Sequence, residues 1–218
     1  LKACTKVASK DELDGNLCGV SMLENGLCAT NKFSIVRWSL PSELEDLICT
    51  VPVDFIRSLL AIKDTGNVRI GRRKNILAVE TGDGTIVSTA LMVGNYPDLN
   101  DFFPKGNGVS VTFEEPIDEI LCKHREYQID VDLGEQEVEF CIEGSHCTLT
   151  SHVEDFGCLR EGVDVTASTD VDCVFYVSPT LFDGIGKCKQ FNFYPKEGVL
   201  VVRSELFELM IRLRKTNG

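Results

Sequence analysis

Gly94-Asn95-Tyr96-Pro97-Asp98-Leu99-Asn100-Asp101-Phe102-Phe103-Pro104-Lys105-Gly106-Asn107-Gly108 divides the chain. The stretch holds two prolines and three glycines and has neither helical nor strand periodicity, which is the composition of a connector between domains. Its aromatics, Tyr96, Phe102 and Phe103, are expected to pin it against its neighbours. The connector sets domains at 1–104 and 105–218, each about 100 residues and large enough to bury a core.

On both sides of the connector the same unit recurs, a short amphipathic helix followed by three short strands. The helices are predicted at Leu1–Ser9, Pro52–Lys63, Phe113–Arg125 and Ser178–Lys189. Recurrence at a fixed spacing marks an architecture made by repeating one supersecondary unit. In the first half, strands Leu17–Leu23 and Leu27–Thr30 flank Asn25-Gly26, a pair suited to the positive φ of a tight hairpin turn. Strands Asn67–Arg72 and Ile76–Thr81 flank a basic tip, Arg72-Arg73-Lys74-Asn75, and Thr85–Met92 follows Gly82-Asp83-Gly84.

The second half reads alike, with strands at Tyr127–Leu133, Val138–Ile142, Cys147–His152, Gly162–Ser168, Val171–Val177, Gln190–Tyr194, Val199–Ser204 and Leu206–Leu213. Alternation in Gln128-Ile129-Asp130-Val131-Asp132-Leu133 suggests one buried and one wet face. The class is α+β, two helices per domain packed on antiparallel sheets. Apolar strands lead into the last three helices, whereas Leu1 already lies in a helix pattern; a strand is therefore expected ahead of it.

The chain has 22 basic and 34 acidic residues, a net charge of −12. Such a balance argues against a protein that grips nucleic acid over its whole surface. The charge is uneven, however. The helix regions, with Lys10 just past the end of the first, carry Lys2, Lys6, Lys10, Arg57, Lys63, Lys123, Arg125, Lys187 and Lys189 against Asp54, Glu114, Glu115, Asp118, Glu119 and Asp183, a balance of +3 that leaves −15 elsewhere. A mildly basic helical face on an acidic body is one reading; solvated helix surfaces are the other.

Ten cysteines are scattered without a C-x-x-C pair and read as reduced thiols of a cytoplasmic protein, several serving as small core hydrophobes. No apolar run reaches the roughly 18 residues of a membrane helix. His146, Cys147 and His152 with Cys141 and Cys158 have no regular four-ligand spacing, and no metal or cofactor is expected. A hydrolase built on Cys122 or Cys147 with His124 or His152 has no local signature. Asp130 and Asp132 lack a glycine-rich phosphate loop. No catalytic residue is expected.

Five motifs in order carry a family likeness: Ser9-Lys10-Asp11-Glu12-Leu13, Leu17-Cys18-Gly19-Val20, Ala29-Thr30, Val51-Pro52 before a helix, and Gly94-Asn95-Tyr96-Pro97-Asp98 running to Phe103-Pro104. Together they resemble the middle domain of the bacterial DNA polymerase III beta sliding clamp. Leu209-Met210-Ile211-Arg212-Leu213 resembles that family's C-terminal strand. The resemblance spans essentially the whole chain.

The resemblance implies a DNA clamp fold and a ring-forming processivity factor that encircles duplex DNA without reading its sequence. Residues 1–104 and 105–218 would be the middle-type and C-terminal-type domains of a subunit that self-associates. DNA-facing candidates are then Lys2, Lys6, Arg57, Lys63, Lys123, Arg125, Lys187 and Lys189. Weak, salt-sensitive phosphate contact from such residues suits sliding, since topology does the holding.

The family also carries a groove that captures short linear motifs of polymerases, the clamp loader and repair proteins. Matching positions are Leu17, Thr30, Ile35, Pro104, Leu209, Met210, Ile211, Arg212 and Leu213. The alternative function is a clamp-fold interaction scaffold that no longer encircles DNA. Departures fall on the groove rim: the usual Thr-Asp-Gly-His-Arg-Leu is replaced by Thr30-Asn31-Lys32-Phe33-Ser34-Ile35, and Met210 stands where proline is usual.

Overall fold

The computed structural model describes residues 1–23, 26–39, 47–62, 67–132 and 135–213. Its contacts separate into two units, Leu1–Leu99 and Asn100–Gly218.

In the first unit, α1 (Lys2–Val7) buries Ala3, Cys4, Thr5 and Val7. The strands β1 (Gly19–Leu23), β2 (Gly26–Thr30), β3 (Ser34–Ser39) and β4 (Cys49–Pro52) run antiparallel in the order β4-β1-β2-β3. Next comes α2 (Val53–Ala61), led by Pro52 and burying Val53, Phe55 and Ile56. Proline before a first turn that carries Asp54 suits a helix start, because φ is preset and the charge meets the positive end of the helix dipole. A meander follows, β5 (Arg69–Arg73), β6 (Ile76–Glu80) and β7 (Ile86–Ala90).

In the second unit, β8 (Val109–Phe113) leads to α3 (Ile117–Tyr127), whose buried Ile117, Ile120, Leu121 and His124 recur at the spacing of one helix face. The remaining strands are β9 (Val138–Glu143), β10 (His146–Val153), β11 (Gly157–Ala167), β12 (Asp172–Val177), β13 (Gln190–Tyr194), β14 (Val199–Arg203) and β15 (Phe207–Arg212). Their order is β12-β9-β10-β11-β8-β13-β14-β15, every described pairing antiparallel.

Phe113, Phe140, Phe175, Phe191 and Phe193 form an aromatic cluster in this unit. Phe140 stacks on Phe175 at 5.2 Å between ring centroids, and Phe175 meets Phe191 edge-on at 5.8 Å. Offset and edge contacts of this kind contribute beyond the buried area alone.

Several expectations are corrected. The fourth helix, Ser178–Lys189, is a single 3-10 turn, Pro179–Phe182. Gly184 and Gly186 follow at φ 88° and 81°, a conformation that ends helical winding. The strand expected at Tyr127–Leu133 does not form in its described part. The helix α3 runs through Tyr127, and the chain then turns, with Ile129 N–H donating to Glu126 O and Val131 N–H to Gln128 O. The apparent alternation there belongs to a turn that buried Gln128 anchors through its side chain to Glu137 O. Leu133 lies outside the described residues.

The strand expected from Leu17 begins at Gly19, because Glu12–Cys18 winds as 3-10 turns. Helix limits also shift: α1 stops at Val7, α2 stops at Ala61, and α3 starts at Ile117. Strand β3 was not expected at all, since a serine, an arginine and a tryptophan interrupt its pattern. Within the connector, the Tyr96 hydroxyl accepts the Thr30 amide hydrogen at 3.0 Å and Phe103 is buried, while Phe102 is exposed.

Candidate functional site

The expected DNA-facing residues fall on different elements. Lys2 and Lys6 lie on α1, Arg57 on α2, and Lys123 and Arg125 on α3. Lys187 and Lys189 lie on the segment after the 3-10 turn rather than on a helix, and Lys63 lies outside the described residues.

In the second unit that segment is fastened along the start of α3. Ile117 N–H donates to Cys188 O at 2.7 Å and Phe113 N–H to Lys189 O at 2.8 Å. Lys187 Nζ then sits 3.3 Å from Glu119, one helical turn from Lys123 on the same face. Lys123 and Lys187 are thus brought near one another along α3, without a fourth helix.

Within each unit, most of the candidate cations are already paired. Lys123 pairs with Glu161 of β11, Arg57 with Asp54 at 2.8 Å, and Lys187 with Glu119. Lys189 Nζ donates to Glu114 O, and Arg125 Nη2 to Asp118 O at 3.4 Å. A phosphate approaching Arg57, Lys123 or Lys187 must displace a carboxylate from a solvent-accessible pair, and such pairs are weak. Exchange is inexpensive, and the resulting contact is weak and salt-sensitive.

Arg57 and Asp54 stand three residues apart on one helix, a local spacing, whereas Glu161 is remote from Lys123 in sequence. A partner 38 residues along the chain leaves no local signal.

The groove candidates divide between the units. In the first, Leu17 is half-buried, and Thr30 and Ile35 are buried. In the second, Pro104 is half-buried, Leu209, Met210, Ile211 and Leu213 are buried, and Arg212 is exposed. Strand β15 is held to β14 by the pairs Val202 with Leu209 and Leu200 with Ile211.

The altered rim has a defined conformation. Lys32, at the position where the resemblance leads one to expect glycine, takes φ 75°, the left-handed region. Asn31 Oδ1 accepts the amide hydrogens of Phe33 and Ser34, and Lys32 pairs with Asp14. Lys32, followed by the Ser9 hydroxyl bond at 2.7 Å, lowers the Asp14 carboxyl below its usual range.

His124 is buried beside Ser151, His146 faces Asp164 at 3.2 Å, and His152 is exposed. No group of three histidine, cysteine or acidic residues among the described residues converges to hold a metal. All ten cysteines are free thiols; burial pushes Cys4 up to about 11 and Cys28 and Cys147 to about 12, which keeps them protonated. No helix among the described residues is long and apolar enough to cross a membrane.

The class defined by this architecture is the DNA clamp fold, and its solved counterparts are bacterial DNA polymerase III beta sliding clamps. The clamp of Caulobacter crescentus matches at TM-score 0.78 and 14% identity, covering 99% of this chain and 62% of its own. The sliding clamp of Bacillus subtilis matches at TM-score 0.78 and 16% identity, covering 99% and 61%. A DnaN sliding clamp from Bartonella birtlesii, bound to griselimycin, matches at 0.77 and 16%, covering 99% and 63%. The chain therefore spans a little over three fifths of the length of these clamps, and at such identity the likeness is one of fold. No protein-family model and no curated protein sequence matches it.

Proposed function

We propose that this chain is the middle-type and C-terminal-type part, 1–104 and 105–218, of a cytoplasmic DNA sliding clamp. It acts without catalysis as a polymerase processivity subunit, self-associating into a ring around duplex DNA. The observation that carries the reading is the clamp fold over 99% of the chain. Lys2, Lys6, Arg57, Lys63, Lys123, Arg125, Lys187 and Lys189 make sequence-blind phosphate contacts. Leu17, Thr30, Ile35, Pro104 and residues 209–213 receive linear motifs of the polymerase, clamp loader and repair proteins.

The carboxylate partners of Arg57, Lys123 and Lys187 favour a second reading, a clamp-fold interaction scaffold that has given up DNA. Topology separates the two. The protein is loaded by its cognate loader onto a nicked circular duplex and passed through a sizing column before and after the circle is cut. A ring stays on the circle and is lost on linearisation. Equal retention on both forms, or on neither, overturns encirclement.

A further inference from the structure

The first unit contains a cavity of about 600 Å³ that shares no residue with the groove or the DNA-facing set. Its lining mixes polar groups such as Thr50 and Asn75 with an apolar patch, in which Leu23 and Ile48 are exposed beside Leu91 and Met92. Its rim is basic, formed by Arg72 and Lys74 at the β5–β6 tip. Backbone bonds tie the three segments together: Leu91 N–H donates to Asn75 O at 2.7 Å, and Met92 N–H to Thr50 O at 3.0 Å.

Arg72 is oriented before any ligand arrives. Its Nε donates to Lys74 O at 3.2 Å and its Nη1 to Ile48 O. A guanidinium has five N–H donors, so three remain after these bonds. Arg69 on the same strand pairs with Glu80 at 3.7 Å, yet among the described residues no carboxylate pairs with Arg72, Arg73 or Lys74. In a chain of net charge −12, Arg72 and Lys74 thus stand without acid partners beside the apolar patch of the cavity. The complementary ligand joins an anion to an apolar group.

We propose that this cavity docks an extended acidic peptide, with a leucine-sized side chain on the Ile48–Met92 patch and a carboxylate on Arg72 and Lys74. An arginine already held by backbone carbonyls loses little freedom on binding a carboxylate with two parallel N–H bonds. Val93, 91% exposed, continues the apolar path at the mouth. Duplex DNA supplies anions but no side chain for the patch, so nucleic acid is the poorer fit.

The test measures fluorescence anisotropy of the full chain with a labelled octapeptide of alternating leucine and glutamate. Versions with glutamine or lysine in place of glutamate, and a labelled DNA duplex, are run beside it. The glutamate peptide is expected to bind at least tenfold more tightly than the other three probes. Lys74 has φ 54°, a conformation asparagine tolerates, so Lys74→Asn removes the charge with the turn intact and is expected to weaken binding at least threefold. Arg73→Gln removes the same charge outside the cavity and is expected to stay within twofold of the parent. Equal affinity for the three peptides, equal effects of the two substitutions, or tighter binding of the duplex each overturns the proposal.

Discussion

His124 of α3 places Nδ1 2.7 Å from the Ser151 hydroxyl of β10, in a bond wholly sealed from solvent. Its Nε2 faces Glu161 Oε2 at 3.8 Å, too far for a hydrogen bond, and both atoms are buried. Burial lowers the His124 pKa from its usual range, and the Glu161 charge only partly opposes this, with Lys123 reinforcing the burial. The neutral imidazole is thus the form that fits between helix and sheet.

Because the folded pKa lies below the unfolded value of about 6.5, the unfolded chain binds the extra proton first. The His124 contribution is complete above pH 6.5 and is lost as pH falls through the folded pKa. Urea unfolding between pH 7 and pH 5 should show stability declining with acid, by at most about 1.4 kcal/mol per pH unit for one proton. In His124→Gln this part of the slope should vanish. An unchanged slope would assign it elsewhere.

The Lys123–Glu161 pair makes phosphate contact and self-neutralisation compete. If DNA meets α3, Glu161→Gln should tighten duplex binding and Lys123→Glu should weaken it, each by a few fold at low salt. Both effects should shrink as salt rises, with a Debye length near 8 Å at physiological ionic strength. Binding titrations at two salt concentrations decide it, and opposite signs are the diagnostic outcome.

Lys32 occupies a backbone conformation that disfavours a side chain. Lys32→Gly should therefore be more stable than Lys32→Ala by about 1 kcal/mol, although both lose the bond to Asp14. In both variants the Asp14 carboxyl should titrate at higher pH than in the parent, as followed by carboxyl NMR. Identical stabilities would mean that the left-handed turn is not retained in solution.

Leu209 is fully buried and paired with Val202, so Leu209→Ala should cost about 2–5 kcal/mol in chemical denaturation. Loss of peptide binding in that variant would then report unfolding as readily as a damaged groove. Arg212 is exposed, and Arg212→Ala should leave the unfolding midpoint within experimental error. A motif peptide that binds the proposed groove should still lose affinity for Arg212→Ala.

The repeat, the α+β class and most strands were legible because they rest on local periodicity. Helix α3 shows this well, with Ile117, Ile120, Leu121 and His124 on one stripe. Errors arose where local pattern and tertiary bonding disagree. Gln128–Asp132 alternates like a strand but is bent by side-chain bonds from Gln128 and Gln136, which no periodicity records. The fourth helix failed at Gly184 and Gly186, whose intrinsic freedom outweighs a short apolar stripe. Among the candidate cations, Arg57 has its acid partner Asp54 within the same helix, whereas Glu161, the partner of Lys123, lies on a distant strand that no local pattern links to it.

The pairing of β8 with β13 also has a kinetic consequence. Ser110 and Gln190 touch across 80 residues of intervening chain, while most neighbouring strands of the unit are joined by short turns. Contacts of such sequence separation must overcome loop-closure entropy and form slowly. On the ribosome, β8 can meet only β11 until Gln190–Tyr194 emerges. The aromatic cluster is then without Phe191 and Phe193, so this sheet is expected to be completed only after Tyr194 has been made.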